Sequence, residues 1–294
     1  MSGQSGLRAV VLGGVAWNTM IYLDQFPQAS PHTVFPIRTH QTVGSSGAGK
    51  ALNLAGLGVD VTLWALMGDD ENGQRIMDVM DEAGVTLITQ LDPAGTARHV
   101  NLMDRSGERI SIFENPGSLS CVVDPTPVDA VVEGADIVSV TILNHCRAFL
   151  PRIDQLGCEA WVDIHDYDGV NEYHADFIEA ADYLFLSSVR LESWRSFAES
   201  RIEAGSRAVV VTHGANGASG ISPDQGWCDV PASPVDHFID TNGAGDAFFA
   251  GFAVAWLGRE GLDAAMRAGA DNAARAIASP DLAPRPQERH GPRR

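Results

Sequence analysis

For some two hundred residues, short apolar runs alternate with stretches of helical periodicity, and this alternation limits the chain to very few architectures. Leu7–Leu12, Val61–Leu66, Asp136–Val140, Glu159–Asp163, Tyr183–Leu186 and Arg207–Thr212 are continuous apolar runs of strand length. Between them, Ala48–Leu57, Glu71–Ala83, Pro127–Glu133, Glu172–Ala180 and Leu191–Ala204 have the spacing of helices. Strands that are apolar on both faces, each followed by a helix, predict a parallel sheet covered on both sides. In such a sheet the ligand crevice lies beyond the carboxyl ends of the strands.

Two stretches break the rhythm. Residues 32–43 (HTVFPIRTHQTV) and 97–113 (ARHVNLMDRSGERISIF) look like strands with no helix between them, and the second turns at Asp104-Arg105-Ser106-Gly107. They predict a small antiparallel sheet projecting from the main body as a lid. The expected organisation is one α/β domain over 1–280, with a proline-rich and charged tail over 281–294 expected to be disordered.

Charge and cysteines narrow the function. A formal net charge of −18 argues against nucleic acid, whose phosphates are held by Lys and Arg. No apolar run approaches the ~20 residues of a membrane helix. Cys121, Cys146, Cys158 and Cys228 are scattered without a C-x-x-C pair, the pattern of reduced thiols in a cytoplasmic protein.

Residues 240–256 (DTNGAGDAFFAGFAVAW) carry the chemistry. A polar, glycine-rich turn opens into a helix that is apolar all round, hence buried. Glycines at a helix start let backbone N–H groups approach an anion, which the helix dipole also favours. Asp246 stands at that start, where it either caps the helix or accepts a proton from a substrate hydroxyl. Its residue type and position allow both.

The segment Asp240–Asp246 (DTNGAGD) resembles the D-T-x-G-A-G-D signature of the ribokinase-like (PfkB) carbohydrate kinases. Residues 58–73 resemble that family's G-x-x-strand-G-D-D-x-x-G passage, in which Asp69 or Asp70 caps a helix. The resemblance runs from about Val10 to about Ala278. It implies a three-layer ribokinase-like sandwich with a mainly parallel central sheet and a β lid. It implies an ATP- and Mg²⁺-dependent kinase that phosphorylates a hydroxyl of a sugar or small polyol. Asp246 would be the base, and Gly243, Ala244 and Gly245 the anion hole. Some relatives hold a monovalent cation such as K⁺ near the first aspartate of the motif, here Asp240, and some pair into dimers through the lid.

The same resemblance distributes the remaining roles. Gly44, Ser45, Ser46 and Gly47 match the family's first glycine turn, which lines the sugar site. These residues also fit the G-x-x-x-x-G-K pattern of a P-loop ending at Lys50. The P-loop reading is the weaker one, because Ala51 replaces the Mg²⁺-holding Ser or Thr and the segment follows a lid strand, and a P-loop NTPase stays as a third alternative. Asn18 takes the place of a sugar-gripping aspartate, with Trp17 beside it either stacking on the sugar or serving the core. Thr212, Gly214 and Gly217 match the T-x-G-x-x-G nucleotide turn, and Asn272 falls where relatives build the adenine pocket. The family's N-x-x-E motif is replaced by Ser187-Ser188-Val189-Arg190, so Arg190 either contacts phosphate or is a surface residue. A nucleoside kinase of the same fold and a non-catalytic small-molecule binder are the alternatives.

Overall fold

The computed structural model describes residues 6–235 and 237–283. The strands are β1 (Arg8–Leu12), β2 (Ala16–Tyr22), β3 (Arg38–Gly44), β4 (Asp60–Met67), β5 (Thr86–Leu91), β6 (Arg98–Met103), β7 (Arg109–Asn115), β8 (Ile137–Thr141), β9 (Ala160–Asp163), β10 (Tyr183–Ser187), β11 (Ala208–Thr212), β12 (Ala218–Ser222) and β13 (Gly226–Val230). The helices are α1 (Ser46–Gly56), α2 (Glu71–Glu82), α3 (Asp129–Val132), α4 (Leu150–Gln155), α5 (Ala175–Ala180), α6 (Trp194–Glu203), α7 (Ala244–Leu257) and α8 (Leu262–Ile277).

Nine strands form the central sheet in the order β13-β12-β11-β10-β9-β8-β1-β4-β5. It is parallel from β11 to β5, and only β12 and β13 run antiparallel. Because side chains alternate across a strand, neighbours in β1 serve opposite cores. Ala9 and Val11 pack with α1, α7 and α8, through residues such as Leu54, Phe252 and Met266. Val10 and Leu12 pack with the layer of α3 to α6, through Val132, Ile153, Phe177 and Ala198. The three-layer sandwich expected from the sequence is present.

The lid is a second sheet of four strands, β3-β2-β6-β7. Two expectations are corrected here. The sheet is not wholly antiparallel, since its central pair, β2 and β6, is parallel. It also contains β2, which was not anticipated, while residues 32–37 are not strand. Pro27, Pro31 and Pro36 delay the start of β3 to Arg38, because proline has no N–H for a ladder. Asp70 caps α2 by accepting from Gly73 N at 2.9 Å, and its other oxygen accepts from Thr96 N at 2.8 Å. That pair of bonds ties α2 to the approach of the lid.

The expected tail starts earlier in sequence than in space. Leu282 is buried in the core, and its carbonyl accepts from Asn53 Nδ2 at 2.9 Å. The carbonyl of Pro280 meets His40 Nε2 at 3.1 Å, and Asp281 accepts from Thr42 Oγ1 at 3.2 Å. Residues 280–282 therefore lie strapped between the lid and α1. The expected tail from 284 onward lies outside the described residues.

Candidate active site

Two helix starts converge on one carboxylate. The turn before α7 places Gly243 in the left-handed region at φ 77°, which glycine reaches without steric cost. The first-turn N–H groups of a helix have no intrahelical acceptors. That of Ala244 goes to Thr241 O at 3.3 Å and that of Ala247 to Gly243 O at 2.9 Å, leaving those of Gly245 and Asp246 for an outside acceptor. A Cβ on Gly245 would meet nothing within 4 Å, so the space beside the turn is open. The residues predicted as base and anion hole thus share one turn of helix.

Asp246 is only 9% exposed. Its Oδ1 accepts from Ser46 Oγ at 2.5 Å and from Lys50 Nζ at 2.6 Å. Lys50 also donates to Ser46 Oγ at 2.7 Å and to Asp163 Oδ2 at 3.0 Å, and it is 0% exposed. Burial alone would push the Lys50 ammonium down, but Asp163 and Asp246 outweigh it and hold the group above the ordinary lysine value. Asp163 is likewise raised by burial, but the charges of His165 and Lys50 and the bonds they donate hold it at about 2. The Phe249 ring lies 5.3 Å from Lys50 Nζ and closes the site from within α7.

The predicted sugar-site turn holds its place through close backbone approach. A Cβ at Gly47 would sit 2.6 Å from Gly14 N, so α1 begins hard against the end of β1. Ser45 precedes α1 at φ 79°, ψ 149°, a region that is nearly glycine-only. A Cβ at Gly44 would strike the amide of Asn18. Asn18 is 4% exposed, and its Oδ1 has no hydrogen-bond partner among the described residues. A buried carbonyl left unpaired is costly, and an acceptor hydroxyl is the kind of group that would satisfy it. Trp17 Nε1 beside it is in the same position.

The residues expected to hold nucleotide lie further along the same edge. Asp163, Ser187 and Thr212 end the neighbouring strands β9, β10 and β11. Beyond Thr212 the chain makes a single turn at Gly214–Asn216, with Gly214 at φ 58° and Gly217 at φ 92°. His213 braces it: Nδ1 meets Ser188 Oγ at 2.8 Å, Nε2 meets Ser219 Oγ at 3.0 Å, and Ser219 donates on to Asp229. Arg190 is exposed and faces Asp168 at 3.4 Å and Asp166 at 3.7 Å. Asn272, expected in the adenine pocket, is instead buried where helices meet. Its Nδ2 donates to Ala247 O at 2.8 Å and to Asn53 Oδ1 at 3.4 Å.

Asp240, expected near a cation, is 2% exposed and accepts from Tyr22 Oη at 2.5 Å and from Asn242 N at 2.8 Å. Tyr22 belongs to the lid, so the motif's first aspartate anchors it. The lid hairpin adds Thr241 Oγ1 to Gly107 O at 3.1 Å and Arg109 Nη1 to Asn242 Oδ1 at 2.6 Å.

The sequence profile of the pfkB family carbohydrate kinases matches residues 14–288. The chain belongs to that family. As a pfkB kinase it is an ATP-dependent phosphotransferase acting on sugar hydroxyls. It is 30% identical over 270 residues to an acarbose 7(IV)-phosphotransferase of Actinoplanes sp., covering 89% of each chain. It is 31% identical over 261 residues to an ATP-dependent ribose-1-phosphate kinase of Halopiger xanaduensis, covering 85% of each. Among solved structures, a microbiome-derived acarbose kinase superposes with a TM-score of 0.85 at 29% identity, covering 94% of both chains.

Three residues that gather around Asp246 have no role in the sequence reading of a sugar kinase: Lys50, Asp163 and Gly49. One signal was available. Helix α1 (SGAGKALNLAG) carries a single charge among small and apolar residues, and a lone lysine on such a helix must either reach water or be paired. In sequence alone the lysine reads instead as the end of a P-loop pattern.

Proposed function

We propose that this kinase moves the γ-phosphoryl group of ATP to a hydroxyl of a sugar or sugar derivative, with Asp246 as the proton acceptor. One observation carries the reading: a buried carboxylate bound to a lysine stands within one helical turn of unsatisfied backbone N–H groups. Phosphoryl transfer asks a protein for positioning, charge stabilisation and a proton acceptor, and this turn provides the last two.

ATP, when bound, supplies the phosphoryl group, and the open turn at Gly243–Gly245 fits its charge. Thr212, Gly214 and Gly217 would lie along the nucleotide, since two positive-φ glycines let backbone approach it closely. Arg190, beside them but held by two aspartates, is a second-rank candidate for the phosphates. The acceptor would lie against Asn18 and the Gly44–Gly47 turn, covered by the lid, which excludes water as a competing acceptor. Asp246 takes the hydroxyl proton while the N–H groups of Gly245 and its own backbone hold the transferred oxygens.

The divalent metal of the family we take to be Mg²⁺. The described residues contain no cluster of three or more His, Cys, Asp or Glu suited to a metal, which fits an ion held chiefly by phosphate oxygens and water. Asp240 already accepts two hydrogen bonds, and we assign it to fastening the lid in preference to binding K⁺. We place the enzyme in the cytoplasm, where its free cysteines stay reduced; among the described residues no helix is long and apolar enough to cross a membrane. Ile110 and Ile112, two residues apart on one face of β7, are exposed and offer a face on which a second lid would sit.

The test is ADP release with MgATP and a panel of acarbose, ribose 1-phosphate, free ribose and inosine, with and without K⁺. The Asp246→Asn variant should lose at least ~100-fold in turnover with ATP affinity retained, as for a lost general base. Unchanged turnover would remove Asp246 from this role. Turnover of inosine alone would point to a nucleoside kinase, and stabilisation by a ligand without ADP release would point to a binding protein.

A further inference from the structure

The reaction as proposed uses one of three charged side chains that meet beneath the mouth of α7. The other two are Lys50 and Asp163. An ammonium has three donors, and those of Lys50 go to Ser46 Oγ, Asp163 Oδ2 and Asp246 Oδ1. A charge this deeply buried is tolerated only when paired and fully hydrogen-bonded. Ser46 donates to the same Oδ1 of Asp246. One oxygen of the carboxylate therefore carries two donors from α1. The other, Oδ2, lies against the bare Cα of Gly49 and accepts no hydrogen bond among the described residues.

We infer that Lys50 is a positioning residue for the proposed base: it pins Asp246 through Oδ1, keeps the carboxylate charged beside the buried Asp163, and leaves Oδ2 to receive the acceptor's proton. The arrangement depends on all three groups. Without the lysine, two carboxylates would share one buried site, and like charges at that range drive one of them to hold a proton. An Asp246 that already holds a proton cannot accept another. The groups facing it are Lys50 and Ser46 from α1, Asp163 from β9, and His165 just beyond β9, whose Nδ1 is 3.7 Å from Asp163 Oδ2. The inference rests on the reading of Asp246 as the base, and the two are tested apart.

The test needs no substrate. The full chain is labelled at the carboxyl carbons of aspartate, and the Asp246 resonance is assigned by its loss in Asp246→Asn. Carboxyl carbon shifts are then followed between about pH 5 and pH 8, where ordinary paired aspartates stay ionised. The wild-type Asp246 resonance serves as the reference. In Lys50→Met it should move with pH, its midpoint displaced upward by about one to three pH units. Adding Asp163→Asn to Lys50→Met removes the opposing charge and should bring the midpoint part of the way back. A folded Lys50→Met protein with a flat Asp246 resonance would overturn the proposal. Should Lys50→Met fail to melt cooperatively, Asp163→Asn is compared with the double variant. The proposal requires the resonance to move further with pH in the double variant, and identical behaviour would overturn it. Turnover of Asp246→Asn judges the base itself, and its survival would leave the Lys50 result standing.

Discussion

Replacing Gly49 with alanine tests how tightly the two convergent helices fix the carboxylate. A Cβ there would lie 2.9 Å from Asp246 Cγ and 3.1 Å from Asp246 Cβ, whereas nonbonded carbons settle at about 3.5–4.0 Å. Something must yield by about half an ångström or more. Helices α1 and α7 are both seated in the core through Ala48, Ala51, Leu54, Phe249 and Phe252, so the side chain of Asp246 gives way before the backbones do. A misplacement approaching 1 Å costs about 100-fold in rate. Stability changes far less, because overpacking costs about 1–3 kcal/mol while alanine is favoured over glycine inside a helix by about 1 kcal/mol. The expected outcome is turnover reduced about 100-fold, with a net destabilisation of about 0–2 kcal/mol and ATP affinity by calorimetry little changed. Gly56 on the same helix is the control, because a Cβ there meets nothing within 4 Å. Gly56→Ala should raise stability by about 0.4–1 kcal/mol and leave ADP release alone. Wild-type turnover in Gly49→Ala, or equal loss in both variants, would refute the reasoning.

Ser45 at φ 79° pays a backbone cost that glycine would not, so Ser45→Gly should stabilise by about 1 kcal/mol in urea unfolding; a loss of stability would show that its side chain matters more than its backbone. His99 and His145 are both held down near 4 from the ordinary 6.5, His99 by burial and then Arg109, His145 by burial against the opposing pull of Asp92. The unfolded chain binds those protons first, so the melting temperature should fall as pH drops from about 6.5 toward about 4 and should flatten in His145→Gln. Asp163 acts in a lower window: the stability it contributes is present above the ordinary 3.8 and is lost as pH falls toward about 2. A melting curve level between pH 6.5 and 4 would contradict the histidine assignment.

Six of the seven parallel strands of the central sheet were legible because they are largely buried and leave continuous apolar runs, whereas the edge strand β5 (TLITQL), exposed or half-buried throughout, was not. The lid was only half legible. AWNTMIY in β2 alternates buried with half-buried positions, and its polar Asn18 and Thr19 disguise the strand. The short antiparallel edge, β12 and β13, is rich in Gly and Ser and gives little periodic signal. At the site, DTNGAGD announced itself because glycine at a helix start has few other uses. The Lys50–Asp163–Asp246 cluster did not, since it joins residues 113 and 196 positions away from the lysine, and no local pattern encodes such a meeting.

The strap at 280–282 gives the enzyme a mechanical readout. His40 and Thr42 of β3 grip Pro280 and Asp281, while Leu282 packs on Gly243, whose Cβ, if present, would lie 3.2 Å from the leucine side chain. Any motion of the lid sheet would pull on a cord whose far end is tied to the turn that opens α7. A fluorophore attached just past residue 282 should then change its emission if the lid moves, because the strap touches both β3 and the turn that opens α7.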